Sequence, residues 1–281
     1  MSSKYRIISF TITVTFIFLL TGCYAFHGRH SRYTSSVVDY LYPYRNVAEQ
    51  PSIPHLSLPL NVGIAFVPAS GEGPMAGRLS RKDKMDLMER ISSEFKKLQF
   101  VKDIELIPTD YLTRGGGFTN LDQIKTMYNI DVIALLSYDQ VQHTDKGMLS
   151  FSYLTIVGSY VIKGEKNDTN TMVDAVVYDI TSRKMLFRSP GTSHIKGSST
   201  PVNLSEQLRS DSLKGFNMAA DNLVLNLKDE LDRFKQKVKE TPRSYIIAHK
   251  QGYTGGGSIG RLYAVILLML GGLGLWSRRE N

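Results

Sequence analysis

Apolar positions change period several times between residues 60 and 240, and each change predicts an element. Residues 61–67 form a short apolar run that ends at Pro68, and a Gly- and Pro-rich loop follows at 70–77. Ser80 then starts a helix, with Asp83 three residues on as a capping-box partner. Met88, Ile91, Phe95 and Leu98 recur at helical spacing and give that helix one apolar face. Residues 101–107 read as a second strand stopped by Pro108, and 109–117 as a loop. Thr119 and Asp122 mark a second helix start, with Leu121, Ile124, Met127 and Tyr128 on its buried face. Val132-Ile133-Ala134-Leu135-Leu136 is apolar throughout, as a central strand covered on both faces would be. Residues 148–163, 171–180 and 184–195 are strand-like, separated by a polar turn at 164–170 and by Thr181-Ser182-Arg183, and predict an antiparallel meander. Residues 204–239 form one long amphipathic helix, striped by Phe216, Ala220, Leu223, Leu227, Leu231, Phe234 and Val238. That stripe packs across the sheet, or alternatively makes a coiled-coil seam to a partner. The expected fold is α/β: a mixed sheet with β-α-β-α-β, then an antiparallel meander, then a long C-terminal amphipathic helix packed on the sheet, with a separate C-terminal transmembrane helix.

The two ends carry different patterns. Lys4 and Arg6 precede an uncharged apolar run at 7–20. A run this short with a basic start is an export signal rather than a membrane span. It ends in Leu20-Thr21-Gly22-Cys23, and Cys23 is the only cysteine among the 281 residues. These four residues resemble the bacterial lipobox. The resemblance implies that Leu20, Thr21 and Gly22 are recognised by signal peptidase II, and that Cys23 takes a diacylglycerol on its thiol and becomes the acylated N-terminus. A thiolate is the nucleophile such chemistry requires. Several acyl chains anchor stably where one binds only marginally. Tyr24 stands where an inner-membrane retention aspartate would stand, which points to the outer membrane.

At the other end, Gly255-Gly256-Gly257-Ser258 precedes a short apolar stretch, and Arg278 and Arg279 lie near the terminus. Residues 262–276 as a helix reach only ~22 Å, short of the roughly 30 Å hydrocarbon core, so a span has to be counted from Ser258. The two arginines would stay on the cytoplasmic side. This tripartite pattern resembles a GlyGly-CTERM sorting signal, which implies recognition and cleavage within Gly255–Ser258 by a rhombosortase, a rhomboid-type intramembrane protease. Glycines weaken a helix by roughly 1 kcal/mol each relative to alanine, which suits a substrate that must unwind. A plain C-terminal anchor behind a flexible linker is the alternative. With the lipobox, the pattern is similar to the proteins called rhombotarget lipoproteins. Gly256-Gly257-Ser258-Ile259-Gly260 also matches the nucleophile-elbow spacing, but it lacks the buried strand and core helix that such an elbow needs.

The domain plan that follows is a lipoprotein signal peptide at 1–22, a tether at 23–59, an α/β globular domain at 60–240, a flexible Gly-containing linker at 241–257, and a sorting signal with transmembrane helix and basic end at 258–281. The tether contains Tyr33, Tyr40, Tyr42 and Tyr44, which either pack on the domain or sit at a membrane interface. His27 and His30 within it have a metal-like spacing but no third ligand nearby.

The net charge of +8 first suggests an anionic partner. Lys4 and Arg6 carry +2 of it in the segment to be removed, and Arg261, Arg278, Arg279 and Glu280 a further net +2 in the tail, which leaves +4 for residues 23–257. No nucleic-acid motif is present, and export removes the chain from nucleic acid. A single cysteine excludes an intramolecular disulfide and a cysteine-based zinc cluster. His143 and His194 form no Ser-His-Asp grouping by spacing, and Asp131, Asp139, Asp174 and Asp179 sit at strand ends or edges, where carboxylates terminate strands or face water. Gly115-Gly116-Gly117 lacks the Lys-Ser/Thr of a phosphate loop. No metal site, no cofactor beyond the covalent lipid and no catalytic residue is expected.

The element order, and the stretch Met172-Val173-Asp174-Ala175-Val176-Val177-Tyr178-Asp179-Ile180-Thr181-Ser182-Arg183-Lys184-Met185-Leu186, are similar to the domain of penicillin-binding-protein activator and curli-secretion lipoproteins. The expectation is a non-enzymatic exported lipoprotein of the cell envelope. It is held in the inner membrane until its tail is cut, and then in the outer membrane or at the cell surface by lipid alone. Its partners would be the membrane, lipoprotein-processing enzymes and a rhomboid-family protease. The alternative is a periplasmic binding module that activates or scaffolds an envelope enzyme or secretion complex, with the helix as a permanent anchor.

Overall fold

The computed structural model describes residues 29–43, 51–69, 79–146, 165–200, 202–251 and 253. The expected lipidation site, the strand expected at 148–163, the Gly-rich motif and the C-terminal span lie outside them. Among the described residues no helix is long and apolar enough to cross a membrane.

The domain is a mixed α/β fold around one sheet. Strands β1 (Arg29–Thr34), β3 (Leu60–Phe66), β4 (Val101–Ile107), β5 (Val132–Lys146), β6 (Glu165–Asp179) and β7 (Lys184–Ser199) form it in the order β4-β3-β5-β6-β7, with β1 also paired to β5. β3 is parallel to both β4 and β5, and β5, β6 and β7 run antiparallel. β2 (His55–Leu58) pairs in parallel with β8 (Ile246–His249) as a separate two-stranded ribbon.

β5 is the spine. Its first five residues, Val132 to Leu136, lie against β3, and Asp139 to Thr144 lie against β1, so β1 takes over the edge of β5 where β3 ends. This corrects the tether expected at 23–59, because β1, the short helix α1 (Val37–Leu41) and β2 are all built into the fold. Tyr33 packs on Tyr138, and Tyr40 is buried with its hydroxyl donating to Asn120 Oδ1 at 2.8 Å. The linker expected at 241–257 likewise contains β8, and Tyr245 ahead of it is buried.

Helices cover both faces. On one lie α2 (Arg81–Phe95) and α4 (Leu204–Glu240), which bury Leu87, Met88, Ile91, Phe216, Ala220, Leu223 and Leu227 with the β-residues Ile64, Leu136 and Val173. The α4 stripe therefore packs on its own sheet. The Ser80–Asp83 capping box is present, with each residue's side chain accepting from the other's amide. On the opposite face, α1 and α3 (Gly117–Tyr128) bury Val37, Tyr40, Phe118, Leu121 and Ile124 against Leu135, Val176 and Tyr178. α3 begins at Gly117, two residues before the Thr119 expected to open it, and Gly115 and Gly117 have φ of +65° and +60°, which side-chain-bearing residues adopt at a cost.

The first half of α4 meets the sheet through polar groups. Gln140 Nε2 donates to Ser212 O (3.1 Å), Gln142 Nε2 to Leu208 O (2.9 Å), and Ser193 Oγ to Gly215 O (2.7 Å). Along β6, Glu165, Asn167, Thr169 and Thr171 are buried on the same side. Residues 165–170 of the polar turn expected at 164–170 are therefore strand: their inward side chains are polar because they face polar groups on a helix and a neighbouring strand.

Candidate functional site

Among the described residues, α1 and α3 cover only the first part of the second sheet face. Where α1 ends its cover, a cleft of about 670 Å³ opens between α1 and β5, β6 and β7. Two pairs of strands, β1 with β5 and β6 with β7, bring one charged pair each to its rim. Arg32 on β1 lies diagonally across from Asp139 on β5 and binds it in bidentate fashion, Nε to Oδ1 at 3.2 Å and Nη2 to Oδ2 at 2.8 Å. Arg188 on β7 lies diagonally across from Asp174 on β6, and its Nε donates to Asp174 Oδ2 at 2.7 Å. Thr34 faces Asp139 and Ser137 faces Asp174, so all six side chains share one face.

The two pairs differ in burial. Asp174 keeps only 10% of its side-chain exposure, while Arg188 keeps 50%. Burial pushes the Asp174 carboxyl above the ordinary range, and Arg188 offsets this only in part. Asp174 Oδ1 is buried and makes no hydrogen bond among the described residues. The Arg188 η nitrogens likewise make none there. Between the pairs the lining is mixed: Met172 and Val176 on β6, Met185 on β7 and Val38 on α1 are apolar, with Met185 at 47% and Val38 at 60% exposure, while Ser36 and the carboxylate of Asp39 line it from the α1 end. Tyr178 closes one end, its hydroxyl pushed up to about 12 by burial.

Of the four aspartates singled out by sequence, this cleft brings together Asp139 and Asp174. Asp131 instead accepts from Asn61 N (2.9 Å) and from Lys250 Nζ (2.8 Å) and ties β5 to β3 and to the end of β8. Asp179 accepts from Ser182 N at 3.1 Å and closes the β6–β7 turn. His143 packs against His30 with the rings tilted and their centroids 4.6 Å apart, and His194 Nε2 lies 2.6 Å from Asp168 Oδ1, both beyond the cleft on the same face. No group of three side chains able to hold a metal ion occurs among the described residues. Cys23, its preceding Leu20, Thr21 and Gly22, the motif Gly255, Gly256, Gly257 and Ser258, and Arg278 and Arg279 lie outside the described residues. Sequence reasoning missed Arg32 because its partner lies 107 residues away, and Arg188 because the register of the β6–β7 hairpin shifts before it.

No family model and no curated protein matches the chain. Among solved structures, a neuraminyllactose-binding hemagglutinin homolog from Helicobacter pylori aligns with 70% of this chain and 96% of its own, at 9% identity and a TM-score of 0.33. A PelC dodecamer from Paraburkholderia phytofirmans aligns with 68% of this chain and 99% of its own, at 11% identity and a TM-score of 0.24.

Proposed function

We propose that the chain is an exported bacterial lipoprotein, acylated at Cys23, cut within Gly255–Ser258 by a rhomboid-type protease, and without catalytic activity of its own. The observation that carries this reading is the position of the sole cysteine. It directly follows Leu20-Thr21-Gly22, at the end of an uncharged run behind Lys4 and Arg6. The Gly-Gly-Gly-Ser motif, the short apolar stretch and the paired arginines give independent support from the other end. Intact-mass measurement of the protein from cells with and without the protease tests both ends. The expected product lacks residues 1–22, gains lipid mass, and loses the tail only when the protease is present. A chain that retains Trp276 in both cells overturns the C-terminal half of the proposal, and an unmodified Cys23 overturns the other half.

The fold gives the two anchors a geometric consequence. Arg29, the sixth residue after Cys23, pairs with Thr144 near the far end of β5. Lys250, eight residues before Ser258, pairs with Asp131 ahead of the first residue of β5. These points are about 40 Å apart at roughly 3.3 Å per strand residue. Residues 250–258 reach at most about 28 Å even fully extended. A doubly anchored domain therefore lies with β5 inclined toward the membrane, and tail cleavage frees it to stand on its lipid.

A second reading, in which the mature domain is a binding module for an envelope partner, is favoured by the cleft beside α1. Protein lacking only the C-terminal tail, used as bait in envelope extracts, tests it. Recovery of the same partner by wild type but not by an Arg188→Gln variant is the supporting result.

A further inference from the structure

Among the described residues, the cleft holds one guanidinium, that of Arg188, whose two η nitrogens make no hydrogen bond. Arg32 spends Nε and Nη2 on Asp139, and is neutralised by that bidentate pair. Arg188 spends only Nε, on a carboxylate that is itself nine-tenths buried. A buried carboxylate with one unpartnered oxygen costs stability. Here it fixes the guanidinium plane so that Nη1 and Nη2 are left for another group. That edge is the fork that matches a carboxylate or phosphate in a bidentate fashion. Apolar side chains lie beside it, with Met185 and Val38 exposed, and the third carboxylate of the lining, Asp39, sits on α1. A flexible Met-lined surface adapts to apolar bodies of differing shape.

We propose that this cleft binds an anionic amphiphile, with the carboxylate or phosphate head on the Nη1–Nη2 edge of Arg188 and the apolar body on Met172 and Met185. Asp174 is a positioning residue that acts through Arg188, and Arg32–Asp139 is a structural pair at the opposite rim. The proposal rests on the reading of the domain as a binding module and on neither terminal signal.

The test uses the full-length chain in nanodiscs of zwitterionic lipid, with methyl-labelled methionine and four short probes: hexanoate, hexyl phosphate, hexylammonium and hexanol. Empty nanodiscs control for partitioning into lipid. At least one anion is expected to shift the Met172 and Met185 methyl resonances saturably, with hexanol and hexylammonium at least about tenfold weaker. The stronger of the two anions identifies the head group. Arg188→Lys keeps a cation for Asp174 but loses the fork, and is expected to weaken anion binding about tenfold with the fold intact. Asp174→Asn is expected to weaken anion binding severalfold while hexanol binding stays unchanged, a split that a general loss of structure would not give. Arg90→Gln, which breaks the exposed Arg90–Asp221 pair on the opposite face of the sheet, is expected to stay within about twofold of wild type. Equal midpoints for hexanol and the anions, full-strength binding by Arg188→Lys, or no saturable shift with either anion would each overturn the proposal. The partner pull-down described above is read separately, so a failure of the site is distinguishable from a failure of the binding-module reading.

Discussion

Asp174 holds Arg188 across the β6–β7 hairpin through a 2.7 Å bond from Nε, with its second carboxylate oxygen buried and, among the described residues, unpartnered. Because burial outweighs the arginine, the folded protein binds the Asp174 proton more tightly than the unfolded chain does. The stability contribution is therefore full below the unfolded carboxyl pKa and is lost as pH rises through the raised folded value. Denaturation midpoints across a pH series should show this as a fall just above the ordinary carboxyl range. Asp174→Asn, which cannot ionise, should flatten that fall and cost less at neutral than at acid pH. A wild-type profile that rises through this window with the mutant profile parallel to it would contradict the assignment.

α4 crosses β7 at Gly191, where an added Cβ would overlap the Ala219 carbonyl oxygen and the Leu223 amide. Both are helix backbone, and neither can rotate away. Gly191→Ala should force α4 off the sheet and destabilise by about 3 kcal/mol or more, at the upper end of overpacking costs. Urea denaturation of the variant, with Ser→Ala at the exposed Ser93 as a neutral control, measures it. A loss below about 1 kcal/mol would mean that the helix does not sit this close.

The segment around α1 makes a sharper claim, because composition alone reads it as tether. Tyr40 is buried against α3, and its hydroxyl donates to Asn120 Oδ1, which also accepts from Thr113 N. Tyr40→Phe removes one hydrogen bond while Asn120 Oδ1 keeps another donor, and should cost about 1 kcal/mol. Tyr40→Ala should cost about 3–5 kcal/mol, as for large aromatic truncations in a core. A solvated tether would give values near zero for both, so the pair of measurements separates the two descriptions.

Those residues show where the chain was readable and where it was not. The helical stripe of α4, the capping box at Ser80 and the apolar strand at 132–136 are local signals, and the structure follows them. β1 and β8 are short and carry no apolar period of their own; each is a strand only because β5 or β2 offers it an edge. The start of β6 alternates in burial but not in hydropathy, since Glu165, Asn167 and Thr169 point inward. The cleft was hidden by register. Counting back from the Thr181-Ser182-Arg183 turn sets Tyr178 opposite Met185, and would then set Ala175 opposite Arg188, on the α4 side. A register shift between Val177 and Tyr178 sets Arg188 opposite Val176 instead, on the cleft side. A one-residue slip exchanges the two faces of a strand, so this bulge puts Arg188 beside Asp174, and nothing in the residue pattern announces it.

The proposed pair of anchors predicts a measurable reorientation. Met127 is 63% exposed near the end of α3, close to the Asp131 end of β5 and far from Arg29. Acylation would occupy the thiol of Cys23, the sole cysteine, so a thiol introduced by Met127→Cys labels selectively. A fluorophore there should be quenched by headgroup-labelled lipid while the tail is intact, because residues 250–258 are too short to let that end of the sheet rise by its full length. Cleavage of the tail should reduce the quenching, and a label at the Thr144 end should change little. Replacing the tail motif with a non-cleavable sequence, such as Gly256→Val with Gly257→Val, should hold the Met127 label in its quenched state in cells that contain the protease. If lipidated protein shows the same quenching at both positions before and after tail removal, the domain is not oriented by its second anchor, and the tail serves retention alone.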